Sequence, residues 1–192
     1  MNTKKKTELR QKYRALRDSF GEEFINKSSR IACQNLANCK EFIVADTVLL
    51  YYPIKNELSS LPMLELCLKM GKAVGFPVCQ KESSSLIFKR VTSLDSLAVG
   101  SFELLEPDES CEILIPTKDT ICIVPALAFS KSGHRLGYGK GFYDRFLANF
   151  TGTSVGFSYS EFVCDELPHD EHDIPLNMIV TEREVLRIAY KN

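Results

Sequence analysis

The apolar positions of this chain recur first at the spacing of a helix and later in short continuous runs. In the first forty residues they return every three to four positions, which predicts two amphipathic helices over 4–19 and 22–39 with a break at Gly21. The apolar stripe of the first helix comprises Leu9, Tyr13, Leu16 and Phe20. The later runs are typical of strands that are buried on both faces.

Six apolar runs predict strands of a central sheet, over 47–52, 73–78, 121–129, 153–159, 178–181 and 185–189. A helix predicted over 60–70 separates the first two strands, and this order favours a right-handed crossover between parallel strands. The shorter, more polar run over 86–91 indicates a strand near an edge, whereas 92–118 has no readable pattern. We therefore predict an α/β fold with an N-terminal helical segment and with helices flanking a mostly parallel central sheet.

Ligands of open α/β sheets bind beyond the carboxyl ends of the parallel strands. The ends of the strands predicted over 47–52, 121–129 and 153–159 should therefore face one crevice. The residues with candidate chemistry follow these strands.

Length and composition limit the classes of protein to which the chain belongs. Its 192 residues, 44% of them hydrophobic, suffice for one substantial core, and we predict a single domain over 1–192. The net charge of −1 creates no field that would attract nucleic acid or an anionic membrane. The basic opening residues run into an amphipathic helix, so we expect neither a signal peptide nor a membrane span. No repeat or exposed heptad indicates assembly, and we expect a monomer.

The cysteines favour a reducing compartment. There are seven, they are scattered, and no two form a C-x-x-C pair. We expect reduced, mostly buried thiols in the cytoplasm. No cysteine has a sequence context that would activate it as a nucleophile.

A glycine-rich segment over 133–145 carries the most distinctive chemistry of the chain. Its four glycines let backbone N–H groups approach an anion closely, and Arg135 and Lys140 add full positive charges. A helix predicted over 142–149 would add partial positive charge at its N-terminus. The carboxylate of Asp144 is suited to a metal ion. The segment therefore predicts a phosphate-binding loop.

Neither familiar nucleotide-binding pattern fits this segment. Phe142 stands where the dinucleotide fingerprint requires its third glycine, and His134 and Gly141 break the Walker A spacing. A glycine-rich surface turn is the alternative, and the basic and acidic side chains favour the anion site over it.

Three other groups of residues have a possible ligand role beside an ordinary one. Lys6 and Arg10 are four positions apart and would project from one helix face toward a polyphosphate, although a solvated basic face is the common outcome. Neighbouring cations extend that face: Lys4, Lys5, Arg14 and Arg17. Glu57 follows a strand end, where it is either a surface glutamate or an acceptor for the N–H groups of a ligand. The acidic loop over 169–173 contains two histidines, but their spacing does not match a helix-borne zinc pair.

The segment over 123–129, followed by Gly133 and by 135–145, resembles the signature of the 5-formyltetrahydrofolate cyclo-ligase family, also called methenyltetrahydrofolate synthetases. The similarity continues in order along nearly the whole chain. It includes Lys6, Leu9, Arg10, Tyr51, Tyr52, Pro53, Glu57, Leu167, Pro168, His172, Asp173, Thr181 and Glu182.

The resemblance implies conversion of 5-formyltetrahydrofolate, with or without a polyglutamate tail, to 5,10-methenyltetrahydrofolate. The reaction of the family depends on ATP and Mg²⁺ and releases ADP and phosphate. The γ-phosphoryl group is transferred to the formyl oxygen, the folate nitrogen at position 10 attacks, and phosphate leaves as the ring closes. Such chemistry requires positioning and charge neutralisation more than a protein nucleophile.

The resemblance also assigns roles to residues. Those that would contact ATP are Lys6, Arg10, Arg14, Arg135, Leu136, Gly137, Tyr138, Gly139, Lys140, Gly141, Phe142 and Tyr143. Those that would contact folate are Tyr52, Glu57, Tyr138, Gly139, Lys140, Gly141 and Phe142. Arg135 and Lys140 would act in catalysis, and Asp144 and Asn177 would hold magnesium. Family members commonly have an acid where Asn177 stands, and an amide oxygen can bind Mg²⁺ without contributing negative charge.

Two alternatives to this function remain open from the sequence. One is a different enzyme on a similar scaffold, such as a sugar-phosphate isomerase or a CoA-transferase-like protein, because parallel α/β folds host unrelated chemistry. Such an enzyme would not require ATP. The other is a non-catalytic folate- or nucleotide-binding protein, which would bind its ligand tightly without turnover.

Overall fold

The computed structural model describes residues 2–189, and the side chains of residues 4–189. The helices of this part of the chain are α1 (Asn2–Asp18), α2 (Glu22–Ala37), α3 (Lys40–Val44), α4 (Pro62–Lys69) and α5 (Phe142–Leu147). The strands are β1 (Thr47–Leu49), β2 (Ala73–Gln80), β3 (Ser85–Arg90), β4 (Leu97–Val99), β5 (Leu105–Pro107), β6 (Thr120–Val124), β7 (Ala128–Ser130), β8 (Arg135–Leu136), β9 (Thr153–Phe157), β10 (Val163–Cys164), β11 (Met178–Val180) and β12 (Val185–Arg187).

A seven-stranded sheet forms the centre, in the order β12-β11-β9-β6-β1-β2-β3. The five strands from β11 to β2 run parallel to their neighbours. Both edge strands are antiparallel to theirs. The prediction of a single-domain α/β fold with a mostly parallel sheet is therefore confirmed, as is the position of the run over 86–91 at an edge.

The central strands are apolar throughout because both faces of the sheet are covered. Successive side chains of a strand point to opposite faces. Ile121 and Ile123 of β6 pack in the core on the side of α2 and α4, whereas Cys122 and Val124 pack in a second core on the side of α5. This alternation explains why the sequence shows a continuous apolar run in place of an alternating one.

One predicted strand is wrong. The run over 121–129 is divided between two sheets, because β6 ends at Val124 and β7 begins at Ala128. Pro125 has no N–H group with which to extend a sheet ladder, and the chain turns there. β7 instead pairs with β8 and β10 in a separate three-stranded sheet. The glycine-rich segment therefore begins in this second sheet and not in the central one.

The unreadable segment over 92–118 contains a short hairpin of β4 and β5 and two 3₁₀ turns. Its local hydrogen bonds, rather than an apolar period, determine this structure. Glu106 accepts backbone hydrogen bonds from Cys79 and Ser101 with its two carboxylate oxygens and thereby fixes the hairpin against β2.

The seven cysteines are free thiols, four of them buried: Cys33, Cys39, Cys67 and Cys122. Burial raises the pKa of Cys33 and of Cys67 to about 12, which keeps these thiols protonated and unreactive. Over residues 2–189, no helix combines the length and the apolar character needed to cross a membrane.

The packing of Phe129 against Gly156 of β9 yields a stability prediction. A Cβ atom at Gly156 would lie 2.6 Å from Cε1 of the Phe129 ring, between two sheets that cannot separate cheaply. We expect Gly156→Ala to lower the free energy of unfolding by about 1–3 kcal/mol, measured by urea denaturation. Gly21→Ala is the control, because an added Cβ there meets no atom within 4 Å. Equal losses in the two variants would contradict this account.

Candidate active site

The candidate site lies beyond the carboxyl ends of β1, β6 and β9, which are adjacent in the sheet. The loops that follow these strands contact one another and α1. The hydroxyl of Tyr159, after β9, donates to the carbonyl of Asn56, after β1, at 3.0 Å. Nη1 of Arg17 in α1 lies 3.4 Å from the carbonyl oxygen of Ala126, after β6. The loops after these strand ends therefore meet in space, and a ligand crevice between them stays a prediction.

The loop after β1 turns sharply to bury an acid. Lys55 and Asn56 have φ angles of 47° and 59°, a conformation that is uncommon for residues other than glycine and is often found at functional sites. The turn directs the Glu57 side chain inward, where Oε2 accepts a hydrogen bond of 3.0 Å from the Ile54 N–H. Glu57 is only 5% exposed. It is therefore not the surface glutamate that the sequence allowed.

Glu57 forms a hydrogen-bonded trio with the half-buried Tyr138 and the buried Arg17. The Tyr138 hydroxyl donates to Oε1 of Glu57 at 2.6 Å and accepts from Nη2 of Arg17 at 2.5 Å. Nη1 of Arg17 lies 3.7 Å from the same Glu57 oxygen. Three distant segments, α1, the β1 loop and the glycine-rich loop, therefore meet at one tyrosine hydroxyl.

Arg17 was predicted to lie on a solvated basic face, and this prediction is wrong because Arg17 is 2% exposed. The signal was present in the sequence as spacing. Tyr13, Arg17 and Phe20 fall at helical intervals of four and three, and all three pack inward. Leu16, which was assigned to the apolar stripe, is instead 36% exposed.

The electrostatics of the trio oppose the effect of burial. Loss of solvent raises the pKa of Glu57, while the Arg17 charge and the hydrogen bonds from Tyr138 and Ile54 lower it. Burial and the nearby Glu57 charge raise the pKa of Tyr138 and keep its hydroxyl protonated as a donor. The result is a buried carboxylate whose charge depends on one guanidinium.

The glycine-rich loop lies directly against α1. Gly139 and Gly141 have φ angles of 95° and 69°, in the left-handed region that favours glycine. Nε of Arg10 donates to the Gly137 carbonyl at 2.9 Å, so the structure brings this predicted cation to the predicted loop. α5, which follows, has six residues instead of the predicted eight, so its dipole adds little positive charge.

Three of the predicted cations have no carboxylate partner among the described residues: Arg10, Arg14 and Lys140. Cζ of Arg14 lies 5.6 Å from the centroid of the Tyr138 ring, and its Nε is buried without a hydrogen-bond partner among the described residues. Lys140 is exposed, with Nζ 5.8 Å above the Phe102 ring. Arg14 therefore lies against the glycine-rich loop, and Lys140 belongs to it.

Two other predicted cations are neutralised by the protein. Nζ of Lys6 lies 2.9 Å from Asp170 and 2.7 Å from Asp173, which assigns the acidic loop a structural role on α1. Nη2 of Arg135 lies 2.6 Å from Oδ1 of Asp144, and the Arg135 side chain is only 4% exposed. A phosphate contact by Lys6 or Arg135 would require an exchange of these partners.

The two predicted metal ligands occupy different surroundings. Asp144 is 27% exposed, and its Oδ1 accepts from Arg135 and, at 3.3 Å, from the Ile174 N–H. The Asn177 carbonyl oxygen accepts from the N–H and the hydroxyl of Ser154 at 2.7 and 2.8 Å, at the amino end of β9. The structure thus gives Asn177 a role in joining β9 to the segment before β11, away from the carboxyl-end crevice.

The remaining predicted residues pack against the two hydrophobic cores. Tyr52 is half-buried against the core on the helical side, and Leu136 is fully packed within that core. Phe142 and Tyr143 are half-buried against the second core. The ring of Phe102 lies edge-to-face with Phe142 at 6.0 Å. Sequence reasoning missed Phe102 because it lies in the segment without a readable pattern.

Comparison with known proteins identifies relatives that span the chain. Residues 2–182 match the family model of the 5-formyltetrahydrofolate cyclo-ligase family. The 5-formyltetrahydrofolate cyclo-ligase of Escherichia coli K12 is 30% identical over 182 residues, which cover 92% of this chain and 98% of the relative. The 5-formyltetrahydrofolate cyclo-ligase of Haemophilus influenzae is 29% identical over 181 residues, which cover 92% of this chain and 97% of the relative.

Solved structures agree with these relatives. The NMR structure of Aquifex aeolicus 5,10-methenyltetrahydrofolate synthetase matches with a TM-score of 0.84 at 38% identity, covering 97% of this chain and 94% of that one. The structure of the Mycoplasma pneumoniae 5,10-methenyltetrahydrofolate synthetase matches with a TM-score of 0.74 at 24% identity, covering 92% and 98%, and supports the fold.

The ion pair of Arg135 with Asp144 predicts a large stability effect. Removal of the carboxylate in Asp144→Ala leaves a buried guanidinium without the only carboxylate that it contacts among the described residues, and we expect a loss of about 3 kcal/mol in the free energy of unfolding. Chemical denaturation measures it. Asp165→Ala removes the partner of the exposed Lys131 and should cause no measurable loss. Similar losses in both variants would show that the Arg135 charge is not dependent on Asp144.

Proposed function

The chain belongs to the 5-formyltetrahydrofolate cyclo-ligase family, and we propose that it converts 5-formyltetrahydrofolate to 5,10-methenyltetrahydrofolate at the expense of Mg-ATP. One observation carries the site assignment. The Tyr138 hydroxyl donates to the buried acid Glu57, and the Tyr138 ring faces the Arg14 guanidinium, so one loop residue contacts both an acceptor for N–H groups and a cation that lacks a carboxylate partner among the described residues. Because the chain belongs to a family of enzymes, we do not retain the alternative of a non-catalytic folate- or nucleotide-binding protein.

The folate side of the proposed site depends on Glu57. An ionised carboxylate has about four acceptor positions, and the Ile54 N–H and the Tyr138 hydroxyl use two of them. The others remain for the amino and ring N–H groups along the edge of a pterin. The half-buried rings of Tyr52 and Phe142 offer apolar walls for the bicyclic ring.

The ATP side depends on the glycine-rich loop and α1. The unsatisfied Nε of Arg14 and the exposed ammonium of Lys140 fit an anionic ligand, because a buried donor without a partner is costly until an acceptor arrives. Gly139 and Gly141 hold the loop backbone in turns that residues with a Cβ disfavour. When bound, Mg-ATP supplies the phosphoryl group that makes the formyl oxygen a leaving group. The protein residues bind, orient and neutralise charge.

Magnesium fits this site as an ion shared with the nucleotide. Among residues 2–189, no three histidine, cysteine or acidic side chains are grouped so as to hold a metal by themselves. Mg²⁺ in phosphoryl-transfer sites needs only one or two carboxylates, with phosphates and water completing the shell. Asp144, one-quarter exposed beside the glycine-rich loop, can supply such a ligand. Asn177 could do so only after releasing Ser154.

The setting of the enzyme is part of the proposal. The free thiols described above are typical of a reducing compartment, which supports the cytoplasm. We propose a monomer, which gel filtration tests, and a substrate that carries either one glutamate or a polyglutamate tail.

We expect wild-type protein with 5-formyltetrahydrofolate, ATP and Mg²⁺ to produce the near-ultraviolet absorbance of a methenyl folate, and omission of any component to abolish it. Lys140→Ala should slow the single-turnover rate by roughly tenfold to a thousandfold, because one charge-stabilising donor is lost. Lys118→Ala is the matched control, since Lys118 is exposed and lies before β6, at the opposite end of the sheet. An unchanged Lys140→Ala rate would remove Lys140 from this role. No product from folded wild-type protein would refute the proposed reaction.

Magnesium titrations distinguish the two predicted ligands. Asp144→Asn preserves an oxygen acceptor for Arg135 but removes the charge, and we expect the Mg²⁺ concentration for half-maximal rate to rise at least about tenfold. Asn177→Asp should move the curve to lower Mg²⁺ if this side chain is a ligand. If the Mg²⁺ curve of Asn177→Asp does not move, Asn177 is not a Mg²⁺ ligand. If the curve of Asp144→Asn does not move, Asp144 is not a Mg²⁺ ligand.

A further inference from the structure

Arg17 is a buried charge that the proposed reaction does not yet use. It is separated from solvent by α1 and the strand-end loops and is 2% exposed. Its Nη2 contacts the Tyr138 hydroxyl, its Nη1 approaches Glu57 at 3.7 Å, and its Nε is buried without a hydrogen-bond partner among the described residues. A guanidinium is retained in such a place only if its charge offsets another one.

The direction of the hydrogen bonds shows what Arg17 does to its neighbours. A guanidinium can only donate, so the Tyr138 oxygen must accept from Arg17. The single Tyr138 proton is then left to point at Oε1 of Glu57. The Ile54 N–H points at Oε2, so both carboxylate oxygens serve as acceptors. This pattern is satisfied when Glu57 is ionised.

We propose that Arg17 is a positioning residue for folate, which acts through Tyr138 to hold the Glu57 carboxylate ionised and oriented toward the N–H edge of the pterin. The inference rests on the proposed folate site. It adds a residue that the resemblance did not assign and that touches neither ligand. Its effect is on folate affinity and on the pH range in which that affinity persists.

Among the groups around Glu57, Arg17 lowers the Glu57 pKa most. Burial raises the Glu57 pKa, and Arg17 is the cation that opposes it most. The other titratable groups that face Glu57 are tyrosines with raised pKa values, which are neutral in the same pH range: Tyr51, Tyr138, Tyr143 and Tyr159. Arg14 reaches the Tyr138 ring but makes no hydrogen bond to the hydroxyl or to Glu57.

The sign of the pH effect follows. Glu57 accepts N–H groups best when ionised, which holds above its pKa, so folate affinity falls as the pH drops through that pKa. Loss of Arg17 raises the pKa further, so affinity should be lost at a higher pH and recovered in more alkaline solution.

The test compares wild type with Arg17→Gln, which removes the charge but retains an amide donor. Equilibrium binding of 5-formyltetrahydrofolate is measured without ATP over roughly pH 5 to 9, and the Glu57 carboxyl is followed by NMR without ligand. We expect the midpoint of the binding profile and the Glu57 pKa to rise together by about one pH unit or more, so that affinity below the wild-type midpoint falls about tenfold. Arg17→Gln in a Glu57→Gln background should shift nothing further.

Matched variants separate this role from a structural one. Arg17→Lys keeps a charge on a shorter arm and should shift the profile in the same direction by a smaller amount, and it serves alone if Arg17→Gln does not fold. Arg14→Gln should weaken Mg-ATP without moving the folate profile. Lys12→Gln, exposed on the same helix, should match wild type.

The outcomes distinguish this inference from the function on which it rests. Coincident folate profiles for wild type and a folded Arg17 variant would overturn the role of Arg17 alone. Equal losses at every pH, with an unmoved Glu57 pKa, would also overturn it, because a purely structural defect behaves in that way. Wild-type protein that binds no folate at any pH would overturn the proposed function, and the role of Arg17 in it.

Discussion

The burial of opposite charges around the Tyr138 hydroxyl is the constraint on which the site depends. Arg17 and Glu57 are nearly inaccessible to water, and either one alone would cost several kcal/mol. They are tolerable only together, and only with Tyr138 between them. Because the three side chains come from α1, from the β1 loop and from the glycine-rich loop, this one cluster forces the docking of a helix and two loops that have no shared backbone ladder.

The same cluster explains how positive charge is divided across the site. The basic residues of α1 at the candidate site are spaced by four, four and three, on one side of the helix: Lys6, Arg10, Arg14 and Arg17. The first and the last of them pair with carboxylates. Arg135 is likewise occupied by Asp144. The predicted cations without a carboxylate partner among the described residues are Arg10, Arg14 and Lys140, and we propose that Arg14 and Lys140 meet the anionic ligand.

The sequence allowed the architecture to be predicted, because apolar runs and the strand–helix–strand order are local signals of a buried parallel sheet. It could not reveal the division of the run over 121–129, because Pro125 ends a ladder in space while the apolar pattern continues along the chain. The site was predictable where loop chemistry is local, as in the glycine-rich segment. It was not predictable where long-range partners decide. Helical spacing places Arg17 on the inward face, but it does not identify Tyr138 and Glu57 as its partners, and Asn177 is held by Ser154.

The attachment of α1 connects ligand binding to the stability of the site. Long side chains make its contacts with the loops: Lys6 to the acidic loop, Arg10 to Gly137, and Arg17 to Tyr138. In the site that we propose, an anion at Arg14 would add an interaction that exists only while the helix is docked, and a folate at Glu57 would add one that exists only while Tyr138 is in place. By mass action, each ligand therefore stabilises the arrangement that the other requires. The proposed site would thus depend on both substrates, because long side chains rather than a backbone ladder attach α1 to the loops.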